Sequence, residues 1–196
     1  MNRLVSNTSF ALTSALALGV GSLASAQVVQ ASGAPIVGVC VYSENAMLGQ
    51  SQAGLAANQQ LAQLQQSVNA DLRATRDKLV ADDRTLTSQK AQLSAADFTQ
   101  RAADLQRRAR DLESLSRVRD NQLSRTRDEA VGRISKAALP VFNASLTAHR
   151  CAIVLDKGPV YSVNPVMDLT GEVVQGVNAA MPSISVPLAA PQTAQP

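Results

Sequence analysis

Apolar residues recur at helical spacing through one long, uninterrupted stretch of this chain. From Gly49 to Leu139 there is no proline and there are only three glycines, Gly49, Gly54 and Gly132. Leu48, Leu55, Leu61, Leu64 and Val68 begin a stripe, and Leu72, Leu79, Leu86 and Leu93 continue it at a strict interval of seven residues. Ala, Gln, Leu, Arg and Lys, which dominate the stretch, are good helix formers. The pattern predicts long helix, and a helix with one apolar stripe needs a partner. The second seam position is poor. Three or four residues beyond the leucines stand Thr75 and Arg76, Asp82 and Asp83, Gln89 and Lys90. A tight coiled coil wants apolar side chains at both positions, so this one is expected to be loosely held in its outer part.

Leu93 to Phe98 reads as the turn between two helices, placed near 94–97. Ser94 is suited to cap the second helix, with Asp97 three residues on as a relative of the capping box. The second helix carries Phe98, Ala102, Leu105, Ala109, Leu112 and Leu115 on one side, and Leu123, Ala130 and Ile134 further on. Its other faces interleave Arg101, Arg107, Arg108, Arg110, Arg117, Arg119, Arg125 and Arg127 with Asp104, Asp111, Glu113, Asp120 and Asp128. A single unbroken helix through Ser94 is the alternative. As an antiparallel hairpin, each arm of about 44 residues reaches about 65 Å at 1.5 Å per residue. Pro140 removes a helix hydrogen bond and crowds the carbonyl of Lys136, which predicts a kink or break.

Period-2 signals flank the long stretch. Ile36–Tyr42 is a β-branched run with Val37, Val39 and Val41 on one face and Gly38, Cys40 and Tyr42 on the other. Cys151–Leu155 reads as a second strand and Val160–Val163 as a third. Between them Asp156-Lys157-Gly158-Pro159 is a turn in which Gly158 is expected to supply a positive φ. Asp168 and Thr170 are candidate caps for a last short helix through Val173, Val174 and Val177. From Pro182 the chain is Pro, Ser, Ala and Gln without a period and reads as disordered. The fold class is therefore α+β. A long antiparallel helical hairpin, 49–140, projects from a small body made of 27–48 and 141–181, with a disordered tail at 182–196. A body of about 60 residues is marginal alone and points to oligomerisation. Valine-rich strands buried on both faces suggest the same.

The first 26 residues are set apart as a signal peptide. Arg3 supplies a positive start, Phe10 to Val20 an apolar core, and Ala24-Ser25-Ala26 a small-x-small cleavage site before Gln27. Serines and glycines dilute the segment below what a spanning helix requires. The expectation is an exported, soluble protein. Seventeen basic and 15 acidic side chains then remain, a net charge of +2. That surplus is far below a nucleic-acid-binding patch, and five aromatics with no Trp offer no stacking platform for bases. No nucleic-acid partner is expected.

Nor does catalytic chemistry emerge. His149 has no companions at ligand spacing, and one His with two distant Cys does not make a zinc site. There is no Gly-rich phosphate loop and no G-x-S-x-G. Asp156 and Lys157 beside Gly158 read as a solvated turn rather than an active-site loop. Asp82-Asp83 and Arg107-Arg108-Ala109-Arg110 read as solvated helix faces, the arginines at most a weak lure for acidic or unfolded polypeptides. No catalytic, cofactor-binding or metal-ligating residue and no cofactor is expected, so the chain is not read as an enzyme. Cys40 and Cys151 lie in apolar runs. They are either two small buried side chains on strands of one sheet or, in an oxidising compartment, a disulfide, and the distance between them decides.

Residues 153–178 combine an apolar strand, the Asp156–Gly158 turn, a second strand and then Asp168-Leu169-Thr170 opening a short helix. This resembles the C-terminal signature of the Skp/OmpH family of periplasmic chaperones. The Leu139-Pro140 step and Ile36–Tyr42 ahead of a Gln/Ala/Leu/Arg hairpin fit as well, so the resemblance spans about 36–178. It implies a homotrimer whose three chains build a β-barrel-like body with helical hairpins hanging around a cavity. It also implies ATP-independent capture of unfolded outer-membrane proteins in the periplasm, with transient contact with the membrane surface. Cys40 in the first strand, the low net charge and the tail after Met181 depart from the pattern. The first two leave the fold untouched and bear on client affinity and its salt dependence. The rival reading is a structural or adaptor coiled coil of the cell envelope, which would need a more regular recognition stripe. If the polar seam keeps the arms pliant, replacing Thr75, Asp82 and Gln89 by Leu will stiffen them and narrow the range of client sizes. Capture of large and small clients at unchanged ratios would count against that account.

Overall fold

The computed structural model describes residues 33–192. The expected signal peptide lies outside the described residues, as do the last four residues of the tail. In chain order come β1 (Val39–Tyr42), α1 (Glu44–Gln50), α2 (Gln52–Ser88), α3 (Ala95–Ala148), β2 (Ile153–Asp156), a single 3-10 turn (Pro165–Met167) and α4 (Thr170–Ala180). The strands pair in parallel, with Val39 opposite Ile153 and Tyr42 opposite Asp156. The whole hairpin is thus the crossover of one β–α–β unit. At 1.5 Å per residue, the 37 residues of α2 span about 55 Å and the 54 of α3 about 80 Å.

Capping residues set the helix limits. Ser43 and Ser51 accept the amides of Ala46 (3.1 Å) and Gly54 (3.2 Å), so the entry to the first arm is two helices bent at a buried serine. Ser94 accepts the amide of Asp97 at 3.1 Å and donates to its carboxylate at 2.7 Å. The turn therefore occupies 89–94 and not 94–97. Ser94 sits just outside the helix it caps, and Ala95 to Asp97 form its first turn. Lys90 lies 5.5 Å from the centre of the Phe98 ring across this tip. α3 runs through Pro140 without a break. Only the amide of residue 140 is lost, and the face carrying Val141, Phe142 and Leu146 stays packed against the body.

Several strand expectations are corrected. β1 begins at Val39 because Gly38 has a φ of 80° and the Val39 amide turns back to the Ile36 carbonyl. No strand forms at Val160–Val163. Val160 closes a turn onto the Lys157 carbonyl (3.0 Å), and the free edge of β1 is already bridged by Val41 to Asp168. Gly158 is not among the positive-φ residues; its amide instead donates to the Asp156 carboxylate at 3.0 Å. β1 is buried on both faces through Cys40 and Val41. β2 is not, for within the chain Ile153 is 55% and Leu155 44% exposed.

The core sits where the roots of the arms meet the body. Met47, Ala53 and Ala57 pack with Ala130, Ile134 and Ala138 of α3 and with Leu169, Val173 and Val177. Small residues, not Leu55, face inward at the root of α2 because the backbones approach closely. A Cβ on Gly54 would stand 1.6 Å from the Leu48 carbonyl oxygen. One on Gly176 would stand 2.3 Å from a Val141 methyl, which sets how tightly α4 lies on α3. α3 ends in a Schellman arrangement: the Cys151 amide bonds to the Leu146 carbonyl and the Arg150 amide to that of Thr147. Arg150 takes the left-handed position with φ 51°. This turns Cys151 back toward β1, where it forms a disulfide with Cys40 across a Cα separation of 5.7 Å.

The tail differs most from expectation. Residues 182–192 contain no helix or strand, yet Ile184, Val186 and Ala189 are buried. Composition hid this, because the period is short and the contacts are supplied by polar side chains of the hairpin.

Gly54→Ala is expected to cost about 2 kcal/mol or more, since backbone must move to admit one methyl. It will appear as a lower urea midpoint at unchanged slope; an unchanged midpoint would contradict the close approach. Reducing the disulfide releases a cross-link between residues 111 apart, for which a loss of about 2–4 kcal/mol is expected. Cys151→Ser should reproduce the loss and be insensitive to reductant.

Candidate functional site

Outside the body the arms are held loosely, as the half-polar seam predicts. Val68 and Leu86 are the buried apolar residues of the outer arms, while Leu72, Leu79, Leu105 and Leu112 are only half-buried. Clefts open between α2 and α3 at successive heights. The one near the tip, about 720 Å³, is lined by Asp82, Leu86, Gln89, Arg101, Asp104 and Arg108. Another, about 390 Å³, lies against Ala74, Lys78, Leu79, Arg108 and Asp111. Polar contacts replace missing knobs. Arg108 meets Asp82 at 2.7 Å across the hairpin, and Arg101 reaches Gln89. Thr75 turns its hydroxyl onto the Asp71 carbonyl of its own helix and so contributes nothing across the seam. With both partners about a third exposed, the Asp82–Arg108 pair contributes only about 0.2–1 kcal/mol. Arg107–Asp104 and Arg117–Glu113 bond along one helix and leave its faces solvated.

Nearer the body a second surface is built from residues that the stripe does not single out. Gln122 and Thr126 fall seven and fourteen residues beyond Leu115 and Leu112, so polar side chains occupy seam positions. Both are buried, at 3% and 1% exposure. With Gln60 of α2 they hold the tail along the hairpin. Gln60 donates to the Ile184 carbonyl (2.7 Å) and accepts from the Val186 amide (2.9 Å). Gln122 donates to the Ala189 carbonyl (2.5 Å), whose own amide donates to Thr126 (2.9 Å). The sequence clue was Ile184 and Val186 alternating with serines between Pro182 and Pro187.

His149 and Lys157 make polar contacts between elements of the body. His149 lies 2.8 Å from a Glu172 carboxylate oxygen, and Ser145 donates to the other at 2.6 Å. The serine hydroxyl thus points at the carboxylate and not at the imidazole, unlike a nucleophile beside its base. The three join the end of α3 to the first turn of α4. The Ser145 hydroxyl, and then the His149 ring, hold the Glu172 carboxyl below the ordinary glutamate value. Lys157 reaches Asp168 at 2.5 Å, and Asp168 accepts the Thr170 amide at 2.9 Å. Burial pushes the Asp168 carboxyl up, but these bonds outweigh it and hold it below its usual range. Thr170 itself does not cap α4; its hydroxyl accepts the Ser43 amide (3.0 Å) and so joins α4 to α1. Among the described residues, no three His, Cys, Asp or Glu side chains gather as a metal would require, and no helix is long and apolar enough to cross a membrane.

Residues 38–177 match the family described as outer membrane protein (OmpH-like). Among solved structures, the chain is similar to a candidate outer membrane chaperone (OmpH-like) from Caulobacter crescentus CB15. The two are 26% identical over 84% of this chain and 96% of that one, with a TM-score of 0.76. No curated protein matches the chain.

The Glu172 contacts should give a recognisable acid dependence. A depressed folded-state value means that their stabilisation is fully present above the ordinary glutamate value of 4.5 and is lost as pH falls through the lower folded value. Wild-type stability will therefore fall more steeply below pH 4.5 than that of Glu172→Gln, as read by urea midpoints at successive pH values. Parallel curves would show that the Ser145–Glu172–His149 contact does not link α3 to α4 in solution.

Proposed function

The chain belongs to the OmpH-like outer membrane protein family, and from that membership we propose that it is an ATP-independent holdase which binds unfolded outer-membrane proteins in the periplasm and keeps them from aggregating. The observation that carries the reading is the contrast between root and arm. The body is close-packed and cross-linked, whereas the hairpin beyond it has open clefts and half-buried leucines interleaved with charge. Such a surface makes many weak contacts with an unfolded chain without forcing it into one structure. Compliance along a polar seam lets the same arms accept clients of different size.

The working form in this proposal is a homotrimer with a barrel-like body. Its support is the unfinished surface of the single chain. β2 has an open edge, and Ile36, Val37, Ile153, Leu155, Tyr161 and Val166 are each 44% exposed or more. So many exposed apolar side chains on a small body support an interaction surface. Three hairpins around a common axis would enclose a cavity that neither helix of a lone hairpin provides. The disulfide fits an oxidising compartment.

Dilution of a urea-unfolded outer-membrane β-barrel protein into the mature chain, Gln27 to Pro196, without nucleotide tests the proposal by light scattering. Aggregation should be suppressed, saturating near three chains per client. No suppression at any ratio by folded, oligomeric protein would sink it and favour an adaptor role.

A further inference from the structure

Every hydrogen bond described between the hairpin and residues 184–190 goes to the tail's backbone. Gln60 takes the carbonyl of Ile184 and the amide of Val186. Arg133 takes the carbonyl of Ser185, Gln122 that of Ala189 and Arg125 that of Ala190. Thr126 takes the Ala189 amide. The Gln60 pair bonds to the carbonyl of one residue and the amide two further on, the pattern by which a neighbouring β-strand reads its partner. A primary carboxamide here stands in for a strand's peptide group. The apolar part of the fit is equally generic. Ile184 and Val186 are buried, while Ser183, Ser185 and Pro187 face outward. Apolar side chains thus alternate at 184 and 186, and Ala189 is buried three residues further on.

Its reading groups are held in place by the hairpin. Arg119 donates to the Gln122 side-chain carbonyl at 2.9 Å, which leaves the Gln122 amide nitrogen to face the tail. Thr126 donates its hydroxyl proton to the Gln122 main-chain carbonyl at 2.7 Å and keeps its oxygen free to accept. The tail is nevertheless an imperfect occupant. Arg125 Nε is buried beside it without a partner. It also covers the groove without helix or ladder of its own, so its release disrupts no regular element.

We propose that this groove, between Gln60 on α2 and the Gln122–Thr126 pair on α3, is a binding site for extended polypeptide segments with alternating apolar residues, and that residues 184–190 occupy it in cis as a displaceable stand-in. The partner is one strand of an unfolded transmembrane β-barrel, whose segments alternate apolar and polar side chains; in this the inference rests on the chaperone reading above. Backbone recognition gives affinity without sequence demands, and the alternating pockets give selection for strand-like segments. The tail shields two apolar pockets until a client is present.

Hydrogen exchange in the intact chain tests this directly, because the amides of Val186 and Ala189 are donors inside the groove. A synthetic ten-residue peptide with Val or Leu at alternate positions and Ser or Thr between is added in excess. The expected result is at least tenfold faster exchange at Val186 and Ala189, with the amides of β1 and β2 unchanged. Gln60→Ala combined with Gln122→Ala should speed exchange at Val186 and Ala189 at least tenfold without any peptide, since the same side chains hold the tail. Peptide bound while Val186 and Ala189 stay protected would overturn the proposal, as would no peptide binding at all. Equal acceleration by a peptide with Ser at every position would do so too. The two readings separate cleanly. A chain that keeps a barrel protein soluble with Val186 and Ala189 still protected loses the groove and retains the chaperone activity. A chain that exchanges tail for peptide but suppresses no aggregation keeps the groove and loses the chaperone reading.

Discussion

Four residue pairs, Val39 to Tyr42 against Ile153 to Asp156, close a loop of more than a hundred residues, and the disulfide beside them makes that closure covalent. Closing so long a loop is unfavourable for a free chain. A two-stranded sheet alone would be marginal against that cost. The cross-link removes much of it from the unfolded side of the balance. Arg150, in a conformation that L-residues avoid, belongs to the same device, because it turns the chain from the end of α3 into Cys151. With both ends of the hairpin pinned, the roots of α2 and α3 are brought to one place and the body can form around them.

From this anchor the molecule grades outward from close-packed to loosely packed. At the root, small residues let backbones approach: Gly54 under the Leu48 carbonyl, Gly176 under Val141, Ala53 and Ala57 against Ala130 and Ile134. Further out, the same two helices present Thr75, Asp82 and Gln89 where a tight seam would hold leucine, and clefts replace contacts. Each polar seam residue weakens the association between the arms a little. Together they leave an extension that is close-packed at its attachment and open in its outer part.

The tail joins the two regimes. Its backbone is read by buried carboxamide and hydroxyl groups at the height where close packing gives way to open clefts. Buried polar groups must be satisfied. Gln122 and Thr126, placed on the inward face of α3, therefore require a partner that carries both donors and acceptors in extended form. The chain supplies one from its own end, and any strand-like segment has the same chemistry to offer.

How much of this was legible in the chain itself follows from the range of each interaction. Helix is a local decision. The proline-free run and the seven-residue leucine interval pointed to long helix with a loose outer seam, and Ser94 with Asp97 marked the second cap through contacts three residues apart. The family resemblance likewise rested on contiguous runs, 153–178 above all, with Ile36–Tyr42 and the Leu139-Pro140 step beside it. Contacts between distant segments were not written locally. Whether Cys40 and Cys151 bond depended on a separation that only the folded backbone sets. Val160–Val163 had strand-like residues, yet the chain closes a turn from Lys157 to Val160 and does not pair along the open edge of β2. Pro140 should disrupt an isolated helix, yet packing of Val141 and Phe142 carries α3 through. The tail's composition reads as disorder until Gln60, Gln122 and Thr126 are brought to it, because the partners for its backbone lie 52 to 126 residues earlier in the chain. Local pattern decided the elements; loop closure decided which of them met.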